Sequence, residues 1–261
     1  MMNSVKPLLR SILPSRYLPT NYLREFVDAR SQGKIVGGPF AGLNYGGEAI
    51  CSAFYPKILG TYEMELLPIV SEILAGDVQT IIDIGAAEGY YACGFAKILP
   101  QSKVIAFEAD LRGRYLLDRN ISLNHLEDKV TAKGFCDTSS LNQELDVAPL
   151  PVLLICDAEG HEYELLCPDR VEKLRHCMIL VELHEFLLPG ITDMIKKRFA
   201  ETHHIAEIQA QRRSREDYPF WNENWLTRRL PFKFIDNLLD ELRPAPANWL
   251  FMKPRTSDTA G

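Results

Sequence analysis

The chain has 261 residues, of which 46% are hydrophobic and 25% charged, an ordinary globular composition with enough length for one large domain and a sizeable core. A formal net charge of −6 argues against a nucleic-acid backbone as main partner, because such proteins usually need a basic stripe, so no nucleic acid is expected. There is no apolar run long enough to span a membrane, so no membrane segment is expected.

Prolines at 7, 14 and 19 interrupt the apolar stretches near the start, which leaves no continuous core for a signal peptide. The six cysteines include no C-x-x-C pair, and several lie in apolar, strand-like runs. Buried free thiols in a reducing compartment follow, with the cytoplasm as the default location. Residues 1–60 are rich in Pro and Gly turns and read as an irregular N-terminal extension. A domain over 61–254 and a tail at 255–261 complete the organisation.

From Tyr62 to Leu74 apolar residues recur at helical spacing, which predicts an amphipathic helix. Apolar runs at 78–84, 103–108, 129–135, 152–157 and 177–182 predict five strands. Helices are expected at 89–99, 111–124, 160–175 and 189–200, and two weaker strands at 204–208 and 249–252. Strands apolar throughout are covered on both faces, and their alternation with helices makes the sheet mostly parallel. The fold class is therefore α/β: a doubly wound, mostly parallel, seven-stranded sheet. Ligands of such sheets bind beyond the carboxyl ends of the strands, and those ends carry Asp83, Glu108, Asp157 and Glu182.

The segment Asp83-Ile84-Gly85-Ala86-Ala87-Glu88-Gly89 closes the first strand and opens a helix. Its small residues let a ligand approach the backbone, and its free amides favour polar groups. The G-x-G-x-x-G pattern is absent and Glu88 would repel a phosphate, so a nucleoside without phosphates is favoured over a dinucleotide. Glu108, ending the second strand, suits the two ribose hydroxyls. In Gly134-Phe135-Cys136-Asp137, Asp137 suits an adenine amino group, with Cys136 beside the ring; taken singly, each of these acids also suits a loop cap. Tyr62 and Glu63 open the preceding helix, where Glu63 is placed either to meet a cofactor ammonium or to favour the helix start.

Ile82 to Tyr91, Ala106-Phe107-Glu108-Ala109-Asp110 and Asn120 resemble the cofactor motifs of class I methyltransferases. Cys156-Asp157-Ala158-Glu159-Gly160-His161-Glu162, with Val181-Glu182 after it, is similar to the FkbM-type branch of that family. The resemblance covers roughly 60–186 and departs from the branch at Ala109 and Ile155. It implies S-adenosylmethionine as cofactor, held by Asp83, Gly85, Ala86, Glu88, Gly89, Tyr90, Glu108, Ala109 and Asp157. It implies O-methylation of a small-molecule, sugar or natural-product acceptor, including a glycan.

Methyl transfer to a hydroxyl needs alignment and a proton acceptor. Asp157, His161, Glu182 and His184 are the candidates, with Glu182 and His184 on one side of an extended chain. The alternative for Asp157 and Glu159 is helix capping and cofactor positioning. Asp157, Glu159, His161, Glu182 and His184 are also possible ligands for magnesium, manganese or zinc, but no compact ligand signature supports a metal and none is expected. Residues 211–225 interleave basic and aromatic side chains and suit either a lid over the acceptor or a surface insertion. Two competing functions share the fold class: a nucleotide-dependent oxidoreductase of the NAD type, and a binding module without catalysis.

Overall fold

The computed structural model describes residues 19–50, 52–223, 225–243 and 248–255. The first part of the expected extension (1–18), Cys51 and most of the expected tail (256–261) lie outside the described residues. Seven strands form one sheet: β1 Thr80–Ile84, β2 Lys103–Phe107, β3 Val130–Lys133, β4 Val152–Cys156, β5 Met178–Leu183, β6 His203–Gln209 and β7 Asn248–Pro254. Their spatial order is β3-β2-β1-β4-β5-β7-β6. The first five are parallel, and β7 runs antiparallel between β5 and β6. This is the doubly wound sheet expected from the sequence.

Every residue of β1 and β4 is buried, as two covered faces require. Alternation along the strands divides the interior in two. Ile81, Val104, Leu153 and Leu180 join one core, while Ile82, Leu154, Ile179 and Val181 join the other. Register then sets the site. Ile84 is level with Phe107 and with Cys156, and Cys156 with Val181. Gly85, Glu108 and Asp157, each one residue further on, therefore leave the sheet beside Glu182, which is level with them in β5.

Several elements differ from the expectation. The N-terminal region is not irregular throughout. Helix α1, Pro19–Ser31, buries Leu23, Val27 and Ser31 at four-residue spacing, and helix α2 spans Phe54–Leu59. The helix expected from Tyr62 begins later, because Glu63 takes a left-handed φ of 50°; a short 3-10 turn leads into α3, Leu67–Ala75. Helices α4 (Tyr90–Ile98) and α5 (Leu111–Leu123) follow β1 and β2 as expected. The sequence reading passed over α6, Thr138–Val147, which follows β3. The span 160–175 is not one helix. It holds α7, Glu162–Leu165, and a 3-10 turn at Glu172–His176, with Pro168 between them to stop propagation. Helices α8 (Ile191–Phe199), α9 (Trp225–Arg229) and α10 (Lys233–Leu239) complete the set among the described residues, and no described helix is long and apolar enough to cross a membrane.

Residues 35–59 pack into the same core as the sheet, through Ile35, Phe40, Leu43, Tyr45, Ile58 and Leu59. Phe40 sits edge-on to Tyr90 and Phe95 of α4. Gly94 makes room for it, since a Cβ there would lie 2.5 Å from the Phe40 ring. A second tie is polar. Glu88, placed in the cofactor site by the sequence reading, is fully buried beneath the β1 turn and bonded away from it. It accepts from the Tyr45 hydroxyl, the Lys57 ammonium and the Ile50 amide. Asn120 accepts from the Gly46 amide and donates to the Glu88 carbonyl. Burial works against the Glu88 charge, yet Lys57 and Tyr45 hold its carboxyl below the usual range.

Breaking a buried pair by removing one partner leaves an uncompensated charge, at a cost of about 3–5 kcal/mol. Lys57→Met is therefore expected to destabilise the chain by that amount in urea denaturation. Lys57→Met combined with Glu88→Gln is expected to recover most of the loss. A double variant no more stable than the single one would show that the pair is not the tie described.

Candidate functional site

The carboxyl ends of β1, β2, β4 and β5 open on one cavity of about 720 Å³. Gly85 forms its floor with a φ of 83°. A Cβ there would stand 1.7 Å from the Asp157 carbonyl oxygen, so only glycine lets β1 turn out of the sheet against β4. Of the residues expected from the sequence, Tyr62, Glu63, Asp83, Gly85, Ala86, Tyr90, Glu108, Ala109, Cys136, Asp157, His161, Glu182 and His184 all line this cavity.

Three do not. Glu88 is committed to Lys57, as above. Gly89 begins α4 with a φ of 88°, and its missing side chain leaves space for Leu117 and Cys93. Asp137 caps α6: its carboxylate accepts from the Ser140 amide at 2.7 Å, and the Ser140 hydroxyl returns to the Asp137 amide at 2.8 Å. Capping satisfies an otherwise orphaned helix amide and occupies Oδ1 of the carboxylate.

Among the described residues of the 211–225 stretch, none lines the cavity; Asn224 lies outside the described residues. Tyr218 and Phe220 are core residues. Arg215 lies over the Trp221 ring. Arg213 is drawn inward, donating to Glu65, Glu241 and the Thr61 carbonyl. His203 is buried with Nε2 3.0 Å from the Cys177 carbonyl.

Charge dominates the cavity. Glu63, Asp83, Glu108, Asp110, Asp157, Glu159, Glu182 and Glu241 line it, against Lys57 and Arg243. Lys57 is spent on Glu88. Arg243 bridges Glu63, Glu182 and Glu241. Glu108 accepts from the amides of Ala87 and Asp110, both at 2.7 Å, which points the carboxylate across the β1 turn. Asp83 is buried, and its Oδ2 has no partner.

Arg243, Glu241 and Trp249 are site residues that the sequence reading missed. The available signal was direction. Strand β7 is antiparallel, so the segment entering it arrives at the carboxyl end of β5 and brings these side chains to the cleft. Tyr91 was also missed as a partner: its hydroxyl donates to Glu63. Phe135, Phe186 and Leu187 form an exposed apolar rim. His161 stands at that rim, edge-on to Phe135.

At the β4–β5 end, Glu162 accepts from the Ala158 and Gly160 amides and lies 2.8 Å from His184 Nδ1. The other ring nitrogen of His184 is 3.5 Å from Asp157 Oδ1. Burial opposes a charge on His184, but the bond to Glu162 and the field of Asp157 push it up to about 9. His184 thus holds a proton at neutral pH in this arrangement and is not a free base. Burial, against the pull of His184, raises Asp157 to about 6. Burial and the neighbouring Asp157 raise Glu182 to about 8. Burial also pushes Glu63 and Asp83 up to about 7, Glu63 despite Arg243.

No protein-family model matches the sequence, and no curated protein matches it. Among solved structures, the METTL16 methyltransferase domain is similar with a TM-score of 0.51 and 11% identity, over 90% of this chain and 79% of that one. The fold is the Rossmann-like methyltransferase fold. The O-methyltransferase from Bacillus cereus in complex with SAH has a TM-score of 0.47 and 13% identity, over 95% and 97% of the two chains. TYW2 of P. horikoshii, in complex with MeSAdo, has a TM-score of 0.42 and 14% identity over 73% of this chain; the chain spans 62% of that protein's length. At such identities the likeness is one of fold.

The folded chain keeps protons on Glu63, Asp83, Glu182 and His184 at pH values where the unfolded chain has lost them. All four folded values are raised, so the stability linked to them is present at low pH and is lost as pH rises, between about 5 and 9. The urea midpoint of the free chain is expected to fall between pH 6 and pH 8.5, and to fall less in Asp83→Asn. A midpoint that rises over that interval would contradict the burial assigned to these groups.

Proposed function

We propose that the chain is an S-adenosylmethionine-dependent methyltransferase that methylates an oxygen of a small-molecule or glycan acceptor. The observation that carries this reading is the excess of carboxylates over cations in a glycine-floored cavity at the ends of parallel strands. A dinucleotide would bring a pyrophosphate into that field, with repulsion at every approach. A sulfonium cofactor brings positive charge instead. When bound, it supplies an activated methyl group for in-line displacement.

The residues present fit such a group. Glu108 is oriented by two amides and retains lone pairs for a ribose diol. The unpartnered Asp83 Oδ2 is an acceptor awaiting a donor, such as an ammonium. Cys136 and Phe135 form a wall suited to a flat base. The Asp157–Gly160 loop closes the side towards β4, and its resemblance to the Asp-x-Glu-Gly-x-Glu stretch supports the FkbM-type branch.

A hydroxyl acceptor must give up its proton as its oxygen gains the methyl group. Asp157 is the proton acceptor in this reading. It lies at the strand end, where the backbone is fixed, and a value near 6 leaves it ionised yet basic at neutral pH. His184, oriented by Glu162, stands 3.5 Å from the Asp157 carboxylate. The apolar rim of Phe135, Phe186 and Leu187 suits an acceptor with an apolar body.

S-adenosylhomocysteine is expected to bind in calorimetric titration, and NAD to give no heat of binding. Glu108→Gln loses the charge and leaves an acceptor oxygen for only one of the two local amides. Since a hydrogen bond to a charged group contributes about 1.5–3 kcal/mol, the variant should bind roughly tenfold or more weakly. Tight binding of NAD with no response to S-adenosylhomocysteine would refute the reading and favour the oxidoreductase.

A further inference from the structure

The geometry points to a divalent-cation site at Asp157, Glu182 and His184, at the acceptor end of the cleft. This rests on the methyltransferase reading, because the cation would lie where that reading places the acceptor oxygen, and revises it at one point: with the cation bound, Asp157 is a ligand and no longer the proton acceptor. The binding itself can be measured without any cofactor. One donor atom from each residue lies within 4.8 Å of the others. Ligands about 2.0–2.2 Å from a common ion stand roughly 3–3.6 Å apart at tetrahedral or octahedral angles, and His184 Nε2 is 3.5 Å from Asp157 Oδ1. That separation is long for a hydrogen bond and natural for two ligands of one ion.

The donor set is mixed, two carboxylates and an imidazole. It suits manganese or zinc better than calcium. The ring is also oriented as a ligand ring would be. Glu162, anchored by two backbone amides, engages Nδ1 and turns Nε2 to the carboxylates, the outer-shell arrangement that fixes a metal-bound histidine. Arg243, the nearest fixed positive charge, is shared among three carboxylates, so it does not neutralise the cluster.

An independent observation lies in the adjoining strand. Trp249 is directly opposite Glu182 in the β5–β7 register and lines the same cavity. Its indole Nε1 is buried without a hydrogen-bond partner. An orphaned donor in that wall calls for an acceptor atom on a ligand. An oxygen held by the cation and receiving the Trp249 N–H satisfies both. The acceptor class is accordingly one that offers a hydroxyl or carboxylate oxygen to a metal.

The test uses the full chain after treatment with a chelator. Mn²⁺ is titrated in, and the free ion is followed by electron paramagnetic resonance. One equivalent is expected to bind. His184→Asn and Asp157→Asn should each weaken binding at least tenfold, and Glu162→Gln roughly 10–100-fold through the outer shell. Asp169→Asn, on the exposed surface, should bind as the parent does. Circular dichroism establishes that each variant is folded. Absence of stoichiometric Mn²⁺ binding, or equal binding by parent and a folded His184→Asn, overturns the proposal. S-adenosylhomocysteine titrated into the same preparation separates the two readings: its binding without Mn²⁺ binding removes the cation alone, and Mn²⁺ binding without it removes the cofactor alone.

Discussion

Carboxylates crowded into a small, partly dry space repel one another, and much of this molecule is arranged around that repulsion. At an effective dielectric near 20, two charges 4 Å apart interact by about 4 kcal/mol, a large fraction of a domain's whole stability. The chain meets the repulsion in three ways. It drives guanidinium groups between the acids, as with Arg243 and Arg213. It fixes carboxylates on backbone amides, as with Glu108 and Glu162. Burial, with neighbouring acids adding to it, also leaves protons on Asp83, Glu63 and Glu182 at pH values where exposed acids have lost them. Each device still leaves room for a cationic ligand.

The two poles of the cleft are built differently. At the β1–β2 end the work is done by backbone: the Gly85 turn, the amides of Ala87 and Asp110, and the carboxylate they orient. At the β4–β5 end it is done by side chains from distant parts of the chain, with His184 between Glu162 and Asp157 and Arg243 crossing from the loop before β7. The first arrangement suits a ligand of constant shape. The second suits a ligand whose chemistry changes at that point.

The sheet and the first pole were legible in the sequence because their signals are local. Apolar runs marked the strands, and small residues beside an acid marked the turn. The errors share a physical origin, namely that one residue type serves two demands. Asp137 is a helix cap, the alternative that the sequence also allowed, and α6 behind it gave little signal because its buried stripe is only Leu141 and Leu145. Glu88 sits in the motif by sequence, yet its side chain goes inward to Lys57, 31 residues away. In the basic and aromatic stretch after 210, Tyr218 and Phe220 are buried in the core while most of the neighbouring residues are exposed, the pattern of an insertion anchored by two aromatic rings. Arg243 and Trp249 carried no local signal, since only the antiparallel course of β7 brings them to the cleft.

The insertion of β7 between β5 and β6 also has a temporal consequence. Residues 248–254 come after all the other strands in the chain, yet they occupy an interior position, paired on both edges. During synthesis, every element of the β1–β2 pole precedes this strand, while β6 must wait for it to gain its partner. The pole that carries Asp157 and Glu182 is therefore open until the final strand seats Trp249 against it. A chain released before that strand would carry every residue of the glycine floor and lack the wall that Trp249 supplies.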